Sequence, residues 1–173
     1  YPKPAESCRG DETMKTIKNI LWPTDASESA LQALDSALVM AEQFGATIHV
    51  LQVVEQIARP AHMGFTGDPL TAFDFPLYEE QLVESARKEL NATVAAKVPQ
   101  SIKTTVNVEM GLPRETIIAF CGHTEIDLIV MATHGRKGLS HLWLGSVAEA
   151  PVRRSAVPVL VIPPKEKEDE KNA

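Results

Sequence analysis

The sequence predicts an α/β domain built on one open, parallel, five-stranded sheet with helices on both faces. Three observations carry that prediction. Strand-like and helix-like stretches alternate along the chain in the order βαβαβαβαβ, the pattern of a parallel sheet joined by helical crossovers. Two of the strand-like stretches, "ATIHVLQVVE" (46–55) and "DLIVMA" (127–132), are near-continuous apolar runs, as suits strands covered on both sides. With 173 residues, the chain is the size of one domain. A chain of this size buries about 70% of its extended surface without help from a disulfide or a metal.

The elements follow in order. "TIKNILWPTD" (16–25) reads as a short strand ending at Pro23. "SESALQALDSALVMAEQFG" (27–45) has helical spacing, with Ala30, Leu34, Ala37, Leu38 and Ala41 on one face. Asp25 and Glu28 are spaced as in a capping box, and Gly45 supplies the stop. The strand 46–55 comes next. Residues 56–76 then carry three prolines and two glycines and read as a long loop, of the kind that forms lids or binding loops. Residues 77–98 align Leu82, Ala86, Leu90 and Val94 as a helix. "IKTTVNVEMG" (102–111) alternates, placing Ile102, Val106, Val108 and Met110 on one face of a strand. Pro113 fits the first turn of a helix carrying Ile117, Ile118 and Cys121. After the strand 127–132 comes a glycine-rich segment, then a helix from about 146, then the last strand "VPVLVI" (157–162). Pro151 lies past the first turn of that helix, which predicts a kink or a start delayed to near 150. Residues 1–13 read as a disordered extension, a cloning remnant or a misjudged start ahead of Met14. Residues 14–164 form the domain, and 165–173 a charged disordered tail.

Composition narrows the function. There are 17 Lys and Arg against 23 Asp and Glu, a net charge of −6, which argues against a general nucleic-acid surface. The two cysteines, Cys8 and Cys121, lie far apart and form no CxxC, which fits a reducing compartment. There is no apolar core for a secretory signal and no apolar stretch near the ~18 residues of a spanning helix. The expectation is a soluble, cytoplasmic protein with no membrane partner. The histidines show no metal-ligand spacing, and His49, within a strand, reads as a hydrogen-bonded core histidine.

The segment that carries chemistry is "MATHGRKGLSHLWLGSVAEAP" (131–151). It gathers His134, Arg136, Lys137 and His141 around Gly135, Gly138 and Gly145, directly after an apolar strand. Glycines let backbone N–H groups approach a ligand, and successive N–H groups make an anion-binding concavity. A helix N-terminus adds unpaired donors and the positive end of its dipole. Ser146 opens that helix, either capping it in a box with Glu149 or donating to a phosphate. Neither GxxxxGK[ST] nor GxGxxG is present. In open α/β sheets ligands sit beyond the carboxyl ends of the strands where the strand order reverses. If the first and fourth strands are neighbours there, "PTDAS" and the glycine-rich segment border one crevice.

With these residues in place, the chain resembles the universal stress protein family. The likeness rests on "ILWPTDASE" (20–28), "IHVLQVVE" (48–55), "MGLPRETI" (110–117), "DLIVMATHGRKGLSHLWLGSVAE" (127–149) and "VPVLVI" (157–162), in the family's order, over about residues 15–163. The family's nucleotide signature is G-x2-G-x9-G-[ST]. Gly135, Gly145 and Ser146 match it, and Ala132 stands at the first glycine. The resemblance implies a sheet of the flavodoxin and adenine nucleotide alpha hydrolase type and, in the ATP-binding branch, bound ATP with Mg2+. It assigns Asp25 to the ribose hydroxyls, and Pro23 and the Val53 backbone to the adenine. It surrounds the phosphates with Ala132, Thr133, His134, Gly135, Gly138, Gly145, Ser146, Val147 and Ala148, while Thr24, Met131 and Arg136 complete the site. It also implies a homodimer through the last strand, Val157–Ile162. No acidic residue lies in the signature loop, so a regulatory ATP-binding module is favoured over a slow ATP hydrolase. The third possibility is a dimeric scaffold that no longer binds nucleotide, motivated by Ala132.

Overall fold

In the computed structural model, residues 16–56, 74–133 and 145–164 are described. Among them the chain runs β1 (Asn19–Pro23), α1 (Glu28–Phe44), β2 (Thr47–Val54), α2 (Phe75–Lys97), β3 (Thr104–Met110), α3 (Pro113–His123), β4 (Leu128–Ala132), α4 (Ser146–Arg154) and β5 (Val159–Ile162). The strands form one five-stranded sheet in the order β3-β2-β1-β4-β5, and each neighbouring pair is parallel. The α/β architecture expected from the alternating pattern is therefore the observed one.

Strand alternation divides the core between the two faces. Ile20, Trp22, Ile48, Val50, Val108, Leu128 and Val130 pack on one face against Ala33, Leu34 and Ala37 of α1 and Ala86 and Leu90 of α2. Leu21, Leu51, Ile129 and Met131 point the other way, against Ile117 and Phe120 of α3 and Ala148 of α4. Trp22 is fully buried, and its indole N–H donates to the Ala30 carbonyl at 2.9 Å, tying the start of α1 to β1. Burying a ring of this size stabilises by roughly 2–3 kcal/mol, provided the N–H keeps a partner.

Helix boundaries depart from expectation in three places. The N-cap of α1 is Ser27, whose side chain accepts from Ala30 N at 3.2 Å, so Asp25 and Glu28 do not form the expected capping box. Ala26 explains the difference. It adopts a left-handed conformation, φ 60°, which reverses the chain between Asp25 and the helix. The next helix begins at Phe75, earlier than expected, because Asp74 accepts from Leu77 N and Pro76 occupies the first turn. The fourth helix begins at Ser146 without the delay that Pro151 predicts. Its N-cap is Gly145, with no side-chain cap bond, so the Ser146–Glu149 box does not form either. Glu149 pairs instead with Arg153 at 2.9 Å. Pro151 removes one N–H bond, but its ring is fully buried, and Glu149 N→Gly145 O (3.1 Å) and Ser155 N→Pro151 O (2.9 Å) hold the helix on either side. Packing thus overrides local propensity.

Candidate functional site

β1 pairs with β2 on one side and β4 on the other, so the strand order reverses between β1 and β4. The chain after β1 and the chain after β4 therefore leave the same end of adjacent strands, which brings Thr24 and Thr133 to that end of the sheet, the place where open α/β sheets bind ligands.

The loop after β1 is held by its own short side chains. Thr24 is 7% exposed, the buried polar residue among those described. Its amide donates to Leu51 O at 2.9 Å, and its hydroxyl accepts from Ala26 N at 3.1 Å. Asp25 Oδ1 accepts from Ser27 N at 3.0 Å, which fixes the half-buried carboxylate as an Asx turn above β1. Asp25 is thus oriented by the turn it forms rather than consumed as a helix cap.

Val53 owes its place to where β1 stops. The bond from Thr24 N shows that the backbone groups of Leu51 face β1. In a strand the next residue facing the same way is two further on, so the N–H and C=O of Val53 also face β1. The β1–β2 register ends at Pro23↔Leu51, and beyond it the chain turns into the 24–27 loop. Val53 therefore points an adjacent donor and acceptor over the end of β1. On the far side of β2, Gly111 N donates to Val54 O at 2.9 Å, locking the top of β3 to β2. A Cβ at Gly111 would lie 2.6 Å from Thr116 Oγ1, so this glycine is required for close approach.

On the β4 side, Met131 is buried against the α3–α4 face, whereas Ala132 is part-buried against the α1–α2 face. Among the described residues positive φ occurs only at Ala26, Gly45 and Gly111. Ala132 is ordinary strand, paired with Ile162, so its backbone does not need the glycine that the signature places there. Thr133 N donates to Ile162 O at 3.0 Å, and Thr133 O accepts from Gly145 N at 2.8 Å. That second bond brings the two ends of the signature loop together and pins the start of α4 to the top of β4. Gly145 has φ −67° and ψ 154°, open to any residue, so the conformation does not explain a glycine here. Ser146 and Val147 are exposed at the helix start and Ala148 is buried. His134, Gly135, Arg136 and Gly138, with Lys137 and His141, lie outside the described residues, as do 57–73 of the long loop and both termini.

Away from the crevice, His49 has a partner on each ring nitrogen as expected, but it is half-buried and belongs to neither face of the core. Its Nε2 lies 3.1 Å from Asn19 Oδ1 and its Nδ1 lies 3.0 Å from Thr105 Oγ1. Burial holds its pKa below the usual imidazole value. Burial also pushes the Cys121 thiol up to about 11, which leaves it protonated and unreactive. Among the described residues no cluster of His, Cys, Asp and Glu could hold a metal, and no helix is long and apolar enough to cross a membrane.

Comparison with known proteins agrees with this fold. The sequence model of the universal stress protein family matches residues 16–163. The universal stress protein MJ0531 of Methanocaldococcus jannaschii is 32% identical over 151 residues, covering 87% of this chain and 85% of that protein. Universal stress protein A homolog 1 of Coxiella burnetii is 33% identical over 149 residues, covering 84% and 95%. Among solved structures, MJ0577 superposes with a TM-score of 0.73 at 26% identity, covering 88% of this chain and 99% of that one. A universal stress protein solved in complex with cAMP shares the fold, with a TM-score of 0.53 at 22% identity over 85% of this chain and 97% of that one. The chain belongs to the universal stress protein family.

Proposed function

We propose that the crevice above β1 and β4 binds ATP with Mg2+, and that the protein is a nucleotide-dependent regulatory module of the stress response. The observation that carries this reading is the Gly145 N→Thr133 O bond of 2.8 Å. It pins an N-terminus without a side-chain cap bond at the carboxyl end of β4, beside the turn that orients Asp25. A helix start in this position offers backbone donors and a favourable dipole to phosphate. The adjacent N–H and C=O of Val53 complement the N1 and N6 edge of adenine, with Pro23 and Thr24 forming the floor. Asp25 accepts from the ribose hydroxyls. Met131, Ala132, Thr133, His134, Gly135, Arg136 and Gly138, with Gly145, Ser146, Val147 and Ala148, surround the phosphates. Ala132 fits this role because its backbone is regular strand and its methyl belongs to the opposite face. The Mg2+ is carried by the phosphates.

The protein is a homodimer paired through the last strand and works in the cytoplasm, in keeping with its cysteine usage. Isothermal titration with ATP–Mg2+ tests the central reading. Saturable heat at one nucleotide per chain is expected. Absence of both heat and a thermal shift at millimolar nucleotide would favour a scaffold that has lost the ligand.

A further inference from the structure

β2 outruns the strand beside it. The β1–β2 register ends at Pro23↔Leu51, and among the described residues the last bond from the chain of β1 to β2 is Thr24 N→Leu51 O at 2.9 Å. The β2–β3 register continues past that point, through Gln52↔Val108, Val53↔Glu109 and Val54↔Met110. Over this stretch the ladder supports β2 from the β3 side. Ile48 N donates to Lys103 O and Gly111 N donates to Val54 O, so even-numbered residues of β2 turn their backbone to β3. Val53 turns its N–H and C=O the other way, beyond the end of β1. The last rung that fixes this pair in direction is Gly111 N→Val54 O at 2.9 Å, one residue from Val53.

That rung closes where the chain also turns into α3. Leu112 is the N-cap, Pro113 opens the helix, and Thr116 N donates to Leu112 O at 2.9 Å. Gly111 has φ 158°, which L side chains rarely adopt, and a Cβ there would lie 2.6 Å from Thr116 Oγ1 in the first turn of α3. A side chain at 111 would therefore push its own N–H off Val54 O or push α3 away from the sheet. α3 supplies Ile117 and Phe120 to the core cluster against which the Val53 side chain packs. The backbone of Val53 and its side chain thus both depend on how closely the chain turns at Gly111.

We propose that Gly111 is a positioning residue for base recognition: it closes the last β2–β3 rung and so presents the N–H and C=O of Val53 to the base edge of an adenine nucleotide. The inference rests on the nucleotide reading above and deepens it. Gly111 does not touch the ligand; it acts through Val54 and Val53. The coupling is reciprocal. If the closed rung favours the nucleotide, the bound nucleotide must favour the closed rung by the same factor. A hydrogen bond of ordinary net strength sets that factor at about fivefold.

The test measures amide hydrogen exchange on the full parent chain, free and saturated with ATP–Mg2+, together with ATP–Mg2+ titration of the parent and of Gly111→Ala. Exchange at the Gly111 and Val53 amides is expected to slow by about fivefold or more on saturation. The Ile48 amide, bonded to Lys103 O at the other end of the same ladder, is expected to change less. Gly111→Ala is expected to bind ATP–Mg2+ about fivefold more weakly. Equal slowing at Gly111 and Ile48 overturns the proposal, because the nucleotide would then stabilise the whole ladder and not this rung. An unchanged Gly111 amide, or a Gly111→Ala protein with parental affinity, overturns it too. Where Gly111→Ala does not fold, the exchange measured on the parent decides. A parent chain that binds no nucleotide defeats the ligand reading itself, whereas a parent that binds without protecting Gly111 defeats the positioning role alone.

Discussion

Two single residues make claims that solution measurements can check. Ala26 sits at φ 60°, where an L side chain meets the following carbonyl oxygen. Glycine at 26 relieves about 1–2 kcal/mol of that strain and gives back part of it through a more flexible unfolded chain. It keeps the N–H that Thr24 Oγ1 accepts. Ala26→Gly is expected to stabilise by about 0.5–1 kcal/mol, read as a higher urea midpoint at unchanged slope. His49 makes the second claim. Asn107 Nδ2 donates to Val50 O and to Thr105 Oγ1, so the Thr105 hydroxyl is left to donate onward to His49 Nδ1. His49 Nε2–H then donates to Asn19 Oδ1, which describes a neutral imidazole held across three strands. The folded pKa is lowered, so the unfolded chain binds the extra proton first. The stability contributed by the neutral ring is complete above the unfolded value, near 6.5, and is lost as pH falls through the folded value. An imidazole midpoint below that of a free histidine is expected by NMR titration. The decline in Tm from about pH 7.5 to about pH 5 should shrink in His49→Gln, which cannot titrate. Equal declines in the two proteins would contradict the assignment.

At the scale of elements, the start of α4 separates function from stability. Gly145 has a backbone conformation open to any residue, and no side chain caps the helix it begins. Aspartate is a better N-cap than glycine by a few tenths of a kcal/mol, and its charge suits the positive end of the helix dipole. It would also place a carboxylate where the proposed nucleotide's phosphates would lie. Gly145→Asp is therefore expected to leave thermal stability equal or slightly higher while weakening ATP–Mg2+ by about tenfold or more, measured by differential scanning fluorimetry and titration on the same sample. Loss of both together would show that the glycine is structural. The same helix indicates how far the sequence could be read. Strand faces were legible because alternate residues share an environment, and Val106 and Val108, expected on one face of the third strand, both pack into the α1–α2 core. Caps were not, because Asp25 and Ser27 are both chemically able to cap α1, and the left-handed Ala26 decides between them. Pro151 misled for a related reason: propensity counts its missing N–H but not the full burial of its ring. In the proposed site, Gly145 and Ser146 were singled out by the glycine-rich spacing together with the resemblance. The part proposed for Val53 lies in a backbone direction set by where β1 stops, which no side chain records. The middle of the signature, His134 to Gly138, lies outside the described residues, and its role rests on the resemblance alone.

For the whole molecule, the question is what meets the outer edge of β5. The sheet has two outer strands, β3 and β5, and they differ in chemistry. β3 carries Thr105, Asn107 and Glu109 on one face, whereas β5 is Val159, Leu160, Val161 and Ile162, apolar on both faces and only half-buried. An apolar, unblunted edge is the one that pairs with a second chain. Ile129 N donates to Pro158 O and Thr133 N donates to Ile162 O, so even-numbered residues of β5 turn their backbone toward β4. Val159 and Val161 turn theirs outward. Proline at 161 therefore removes a donor only from the free edge, while proline at 160 removes one from the β4 ladder and should cost the fold about 3 kcal/mol or more. If two copies associate through this strand, Val161→Pro should shift sedimentation from dimer to monomer with little loss of Tm, and Leu160→Pro should lower Tm whatever the oligomeric state. A Val161→Pro protein that remains a dimer would move the interface elsewhere. A parent chain that already sediments as a monomer would leave β5 a bare edge, in need of some other protection against aggregation.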